Sequence, residues 1–293
     1  MSGTLYVVAT PIGNLNDLTP RAAATFGSVD FIAAEDTRVT LKLLNYLGIK
    51  KPLVSYYEHN AAERGTHILD RIAAGESCAV CSDAGMPCIS DPGELLVRDA
   101  HDRGIPVVPV PAASAAATAL AVSGQSTGRW CFEGFLPVGK SQRRERLAEL
   151  VTERRTMIFY EAPHKLNTTL DDLVAAFGNE RSVTVCRELT KLHEEIVRTT
   201  LGQARQHFLD TPPRGEFCLV VAGAEEADVA PAQLTVKDAA ALALRLAAEG
   251  LTPSAACKEA ARQSGLGKNE IYQAFLALRA EEDAGQTDAD TAE

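Results

Sequence analysis

The densest chemistry in this 293-residue chain is the run Ser82-Asp83-Ala84-Gly85-Met86-Pro87-Cys88-Ile89-Ser90-Asp91-Pro92-Gly93. It lies between the apolar run Cys78 to Cys81, which reads as a buried strand, and Glu94 to His101, which reads as a helix. Two glycines, two prolines and two aspartates in one strand-to-helix loop permit sharp turns and close approach to a ligand. In open α/β sheets ligands bind beyond the carboxyl ends of strands, where this loop falls. Thr10-Pro11-Ile12-Gly13-Asn14-Leu15 is a Pro-x-Gly turn able to present backbone amides. Glu35-Asp36-Thr37-Arg38 is either a polar cluster in a cleft or a solvated helix start capped by Asp36 or Thr37. His59, in Tyr56-Tyr57-Glu58-His59-Asn60, reads as a general base, an RNA contact or a plain surface histidine.

Four more clusters follow. Pro109-Val110-Pro111-Ala112-Ala113-Ser114-Ala115-Ala116 leaves room for a planar ligand, or for close helix packing. Phe132-Glu133-Gly134-Phe135-Leu136-Pro137 precedes Lys140, Arg143, Arg144 and Arg146. Aromatic and basic side chains together suit base stacking and phosphate contact; a solvated basic helix is the alternative. Phe159-Tyr160-Glu161-Ala162-Pro163-His164-Lys165 and Cys186-Arg187-Glu188-Leu189-Thr190-Lys191 place charges at strand ends, where structural ion pairs are the alternative. No G-x-G-x-x-G fingerprint and no Walker lysine occurs, so ordinary NAD and NTP sites are unsupported.

These loops need strands and helices to hold them. Length predicts about two domains. In the first half, strands at Leu5 to Ala9, Phe31 to Ala34, Val54 to Tyr57, 78–81 and Val107 to Val110 alternate with helices at Pro20 to Phe26, Thr40 to Leu47, Ala61 to Ala74, 94–103 and an Ala-rich segment after Ser114. That alternation predicts a mostly parallel sheet. From Arg129 onward, strands at Cys131 to Leu136, Met157 to Tyr160, Val183 to Arg187, Glu195 to Thr200 and Phe217 to Ala222, with helices at Leu166 to Phe177 and Leu201 to Thr211, predict a second α/β domain with more antiparallel pairing. The expected domains are 1–125, 126–224 and a three-helix extension at 232–280, with an acidic disordered tail at 281–293. Helices at Thr235 to Ala248, Ser254 to Gln263 and Asn269 to Leu278 resemble a helix-turn-helix, or else a packing appendage. Lys258, Arg262 and Lys268 favour nucleic acid slightly.

Net charge is −10, but six acids and no base fall in the last thirteen residues, and the rest carries only −4. Local basic patches therefore decide whether RNA is a partner. Ile105 to Gly124 carries no charge, yet its three prolines and many alanines make it a poor membrane span. No cationic leader opens the chain, so secretion is not expected. The seven cysteines are scattered; Cys78 and Cys81 should point to opposite faces of one strand, which disfavours a shared metal. Small buried hydrophobes in a reduced, cytoplasmic compartment fit better.

Taken in order, LYVVATPIGNL at 5–15, AAEDTR at 33–38, SDAGMPCISDPG, FEGFLP, FYEAPHK and CRELTK resemble the ribosomal RNA small subunit methyltransferase I family. These are the cytidine 2′-O-methyltransferases of the tetrapyrrole-methylase superfamily. The resemblance covers about residues 4 to 223. It implies two α/β domains with S-adenosylmethionine in the cleft between them, a homodimer, and a substrate cytidine near the decoding centre of 16S rRNA. It also implies that Pro11, Asp83, Ala84, Gly85, Cys88, Ser114, Ala115, Glu161 and Leu219 lie at the cofactor. The family pattern departs at Val110, which stands where a glycine is usual. If that glycine takes a positive φ, the loop shifts and Ser114 moves with it.

The ribose hydroxyl is weakly acidic, so a general base helps; Asp36, His59, Glu133 and Glu188 are the candidates, and no metal is expected. Arg38, Lys140, Arg143, Arg144, Arg187 and Lys191 are expected phosphate contacts. Two rivals remain: a methyltransferase acting on a small molecule such as a tetrapyrrole, and a non-catalytic cofactor- or RNA-binding protein.

Overall fold

Apolar runs too short for helices build two sheets in the computed structural model, which describes residues 2–225, 235–248 and 250–289. The first half runs β1 (Leu5–Val8), α1 (Pro20–Ser28), β2 (Phe31–Ala34), α2 (Thr37–Leu47), β3 (Leu53–Ser55), α3 (Ala61–Ala73), β4 (Cys78–Cys81), α4 (Glu94–Asp102), β5 (Val107–Val110) and α5 (Ala115–Ser123). The strands lie in the order β3-β2-β4-β1-β5, all parallel. β2 and β4 are buried along their whole length, as a parallel sheet covered on both faces requires. One face packs Ile68, Leu69, Ile72 and Leu96 from α3 and α4. The other packs Ala22, Phe26 and Leu44 from α1 and α2. Cys78 joins the first cluster and Cys81 the second, so their thiols lie on opposite faces. Burial pushes the Cys78 thiol up strongly and Cys81 up to about 12.

Local chemistry sets the boundaries. Thr19 caps α1 by accepting from the Ala22 amide at 3.1 Å, with Pro20 in the first turn. Asp36 caps α2 by accepting from the Arg38 amide at 2.8 Å. That bond starts the helix at Thr37, three residues before the sequence expectation. Val110 is a regular, buried strand residue paired with Val8, so the substitution for glycine leaves β5 undistorted.

The second half runs β6 (Trp130–Phe135), α6 (Lys140–Leu150), β7 (Thr156–Glu161), α7 (Leu166–Phe177), β8 (Ser182–Arg187), β9 (Glu195–Thr200), α8 (Leu201–Asp210) and β10 (Phe217–Val221). The sheet order is β6-β7-β10-β8-β9, parallel only between β6 and β7. A bulge interrupts β6 between Phe132 and Gly134, where Gly134 takes φ +62°. One face is covered by α6, α7 and α8 through Leu147, Leu150, Leu166, Leu170, Leu173 and Phe208. The other receives α5: Ala116, Ala119 and Leu120 pack on Ile158, Cys186, Cys218 and Val220. That shared core makes residues 1–224 one compact unit, not two that meet only at a cleft.

Residues 225–293 form a separate unit. Its helices are α9 (Val236–Ala248), α10 (Pro253–Ser264) and α11 (Lys268–Ala289). Ala239, Ala240, Ala243, Ala256, Cys257, Ala260, Ile271 and Phe275 form its core. Gly265, at φ +70°, ends α10. Where the sequence suggested disorder from 281, α11 continues to Ala289. Residues 226–234, between the expected second domain and the three-helix extension and into the start of that extension, and 290–293 lie outside the described residues.

Candidate functional site

The loops at the carboxyl edge of the first sheet are bonded to one another. Thr10 and Gly85 exchange two backbone hydrogen bonds, 2.9 and 3.0 Å, tying the loop after β1 to the loop after β4. The Asp36 amide donates to Asp83 Oδ1 at 3.1 Å, and the Asp83 amide to Glu35 Oε2 at 3.3 Å, tying in the loop after β2. Burial raises the pKa of both Glu35 and Asp83, reinforced by their mutual repulsion with Asp36. Among the described residues, four non-glycines have left-handed backbone: Cys88, Ser90, Glu188 and Thr190. All four lie in two loops, 82–93 and 188–191. Strain gathered in this way marks segments held in place by their surroundings.

Between these loops and the second sheet lies a cavity of about 390 Å³. The first sheet contributes Ile12, Ala84, Gly85, Met86, Asp91 and the Ser114–Ala115 pair at the start of α5. The second contributes Phe135, Tyr160, Glu161, Cys186, Lys191 and Cys218, from the ends of its strands. Gly13 lets the halves meet: a Cβ there would lie 2.4 Å from Lys191 Cγ and 3.2 Å from the Leu189 carbonyl oxygen. Tyr160 bridges the halves, its hydroxyl accepting from the Ala116 amide at 2.9 Å. Burial first, then Cys218 and Asp91, push this phenol up to about 12.

The charges inside are few and mostly committed. Glu161 is 5% exposed; it accepts from the Ala162 amide at 2.8 Å and the Thr169 hydroxyl at 2.5 Å. Lys191 Nζ holds Glu188 at 2.8 Å and Glu216 at 2.9 Å. Burial opposes its charge, but those two carboxylates keep its pKa above the usual lysine value. Asp91 is half-buried, and burial raises its pKa to about 6, reinforced by Glu35 and Asp83 and opposed by a hydrogen bond with Ser82.

The arrangement fits a sulfonium nucleoside. The walls are largely apolar, and Ala84, Gly85, Ser114 and Ala115 keep them wide. Gly85 takes φ +82°, and a Cβ there would close to 3.2 Å from Ile12 Cγ2. Ser114 caps no amide of α5 with its side chain, which leaves its hydroxyl to a ligand.

Of the residues singled out from sequence, Ala84, Gly85, Ser114, Ala115, Glu161 and Lys191 line this cavity. Pro11 and Asp83 line an adjoining hollow beside α2, with Lys42 and Tyr46. Leu219 is a correction: it points into the core under α7 and α8, and its neighbour Cys218 faces the cavity, because strand side chains alternate. Cys88 packs against the cluster of Leu96 and Val97, fills the space over Gly93 and is not among the lining residues.

None of the four expected bases lines the cavity. Asp36 caps α2 and grips Arg38 at 2.6 Å, which holds its carboxyl at about 2. Glu133 is buried against Arg146 at 2.6 Å. Glu188 takes Lys191 and the Glu216 amide, and Lys191 lowers its pKa. His59 sits on an exposed turn beside Tyr57.

Among the expected phosphate contacts, Arg143 is a correction: it pairs with Asp172 at 2.6 Å and reaches the Val138 carbonyl, with both charged side chains largely buried. Arg38 and Arg187 pair with Asp36 and Glu195. Lys140 and Arg144 are exposed on α6. In the C-terminal unit Lys258 is exposed, Arg262 pairs with Glu259 and Lys268 donates to Ser254. Sequence reasoning gave no role to Asp91 or Tyr160, although both stand inside quoted motifs. Only the cavity separates them from their neighbours.

Two interlocked α/β sheets with a cavity at their strand ends define a class of methyltransferase, and the model of the Tetrapyrrole (Corrin/Porphyrin) Methylases matches residues 4–205. Solved structures share the fold: uroporphyrin-III-C-methyltransferase from Thermus thermophilus (TM-score 0.55, 16% identity, 74% of this chain and 94% of that one) and diphthine synthase (0.58, 12%, 75% and 90%). The model of the RsmI C-terminal HTH domain matches residues 243–279. Ribosomal RNA small subunit methyltransferase I from Synechocystis sp. is 47% identical over 95% of this chain and 99% of its own length. The Bacillus subtilis protein of that name is 43% identical over 93% and 94%. The chain belongs to the ribosomal RNA small subunit methyltransferase I family, and its cofactor is S-adenosylmethionine.

Proposed function

We propose that this chain methylates the ribose 2′-hydroxyl of a cytidine in 16S ribosomal RNA near the decoding centre. Near-full-length identity of 47% to a ribosomal RNA small subunit methyltransferase I carries this reading. When bound, S-adenosylmethionine supplies a methyl group already activated by a positive sulfur. Ala84, Gly85, Ser114 and Ala115 would hold it, with Glu161 and Tyr160 forming the opposite wall. The protein's remaining task is to position the ribose oxygen and exclude water, and orientation alone can contribute several kcal/mol, roughly 7–11 in favourable cases. Phe135, 57% exposed at the cavity and 5.7 Å from the Tyr160 ring, offers a stacking surface for a base. Lys140 and Arg144 offer phosphate contacts. A second copy of the chain, a cytoplasmic setting, and RNA contact by Lys258, Arg262 and Lys268 belong to the same reading. The family resemblance, the seven free cysteines and the HTH match support them in turn.

The test is incubation with labelled S-adenosylmethionine and small ribosomal subunits from a strain lacking this protein, followed by nucleoside mapping. Label on a cytidine 2′-oxygen is expected. In a parallel incubation with a porphyrinoid as acceptor, label there with none on RNA would transfer the reading to the small-molecule rival.

A further inference from the structure

We propose that Asp91 is the general base of this site, accepting the proton of the ribose 2′-hydroxyl as the methyl group is transferred. The proposal rests on the methylation reading above.

Among the described residues three carboxylates line the cavity: Asp91, Glu161 and Glu216. A base there needs a free lone pair facing the substrate. Glu161 is 5% exposed and each of its oxygens is already held by a hydrogen bond, from the Ala162 amide and the Thr169 hydroxyl, which fixes it as part of the wall. Glu216 is a rim residue with a 77% exposed side chain, tied to Lys191. Asp91 has no lysine or arginine partner among the described residues, and Ser82 is the one neighbour that lowers its pKa. Asp36 and Glu188 each hold a cation that lowers their pKa, and Glu133 is paired with Arg146 outside the cavity.

Position points the same way. Ser90, in left-handed backbone, packs on the β6 bulge, where a Cβ at Gly134 would lie 3.0 Å from its Oγ. Asp91 is thereby held at the end of the cavity that carries the exposed Phe135 ring. A nucleotide stacked on Phe135 brings its ribose to that end. The groups facing Asp91 are Glu35, Asp83, Cys88 and Tyr160, with Ser82 as its hydrogen-bond partner. Burial and the two acids hold the carboxylate near pH 6, close to the optimum for a base working at neutral pH. In the step, the 2′-oxygen bonds to the methyl carbon while the carbon–sulfur bond breaks and its electrons stay on sulfur. The hydroxyl proton passes to Asp91 and from there to water.

The test compares full-length wild type, Asp91→Asn and Asp91→Glu in single turnovers on unmethylated small subunits from pH 5 to 9. Wild type should lose rate about tenfold per pH unit below about 6. Asp91→Asn should fall about 10²–10⁴-fold and lose that limb, with Asp91→Glu recovering part of both. Two readouts do not depend on turnover. S-adenosylmethionine affinity by calorimetry should stay within about threefold in Asp91→Asn. The thermal midpoint of Asp91→Asn should exceed that of wild type above pH 6, with the gap closing towards pH 4. The sign follows from a native pKa raised above the unfolded value: stability present below the unfolded pKa is lost as pH rises through the native one. An Asp91→Asn enzyme that keeps the acid limb, or is slowed less than about tenfold, would overturn the proposal. So would a loss of cofactor affinity large enough to account for the slowed rate, since Asp91 would then be a cofactor ligand. If wild type itself leaves the cytidine unmethylated while binding cofactor, the functional reading fails instead.

Discussion

Single side chains in this site are defined by what already occupies them. Glu161 is buried with an amide and a hydroxyl each donating to one of its oxygens. Thr169→Val removes one of those donors at constant shape and should cost about 1–3 kcal/mol, measured by urea unfolding. Gly85 is constrained twice, by its left-handed backbone and by Ile12 across 3.2 Å. Gly85→Ala should cost about 1–2 kcal/mol in backbone strain alone. It should also weaken S-adenosylmethionine binding in calorimetry, because the new methyl enters the cavity wall. The residue types at these positions are plain in the sequence, but their commitments are not. Asp36 and Asp91 are both loop aspartates after strands; one grips an arginine and the other faces an enclosed space.

At the scale of elements, α6 shows why a basic run is not a binding surface by composition alone. Arg143 turns inward to Asp172 on α7, whereas Arg144, one position later and 100° around the helix, is exposed. Arg143→Ala leaves a largely buried carboxylate without its partner and should destabilise the fold by about 3 kcal/mol, read as a lowered thermal midpoint. Arg144→Ala should change stability by less than about 0.5 kcal/mol. It should reduce the salt slope of RNA binding by about one. The central strands were legible because parallel, doubly covered strands are short and uniformly apolar: β2 and β4 fall where the sequence placed them, as does the partly buried edge strand β5. Starts of helices such as α2 were not, because the cap is set by one side-chain bond.

For the whole molecule, residues 1–224 contain both sheets, their covering helices and every lining residue of the cavity. A chain ending at 224 should therefore unfold cooperatively and bind S-adenosylmethionine about as well as the full chain. Its affinity for small-subunit RNA should fall, in a filter-binding measurement, if the C-terminal helices contact RNA. Unchanged affinity would make them a packing appendage.

The order of apolar runs determined the two-sheet architecture and the loops that bear the site, because periodicity and turn chemistry are local properties, and the family came from the resemblance of six motifs in order. Which residue of each loop faces the cavity was decided in three dimensions. Strand parity exchanged Leu219 for Cys218. Ion pairs reached across 29 residues for Arg143 and 13 for Arg146. Asp91 lines the cavity while Asp36 grips an arginine, and that cavity exists only once the second sheet has closed on α5.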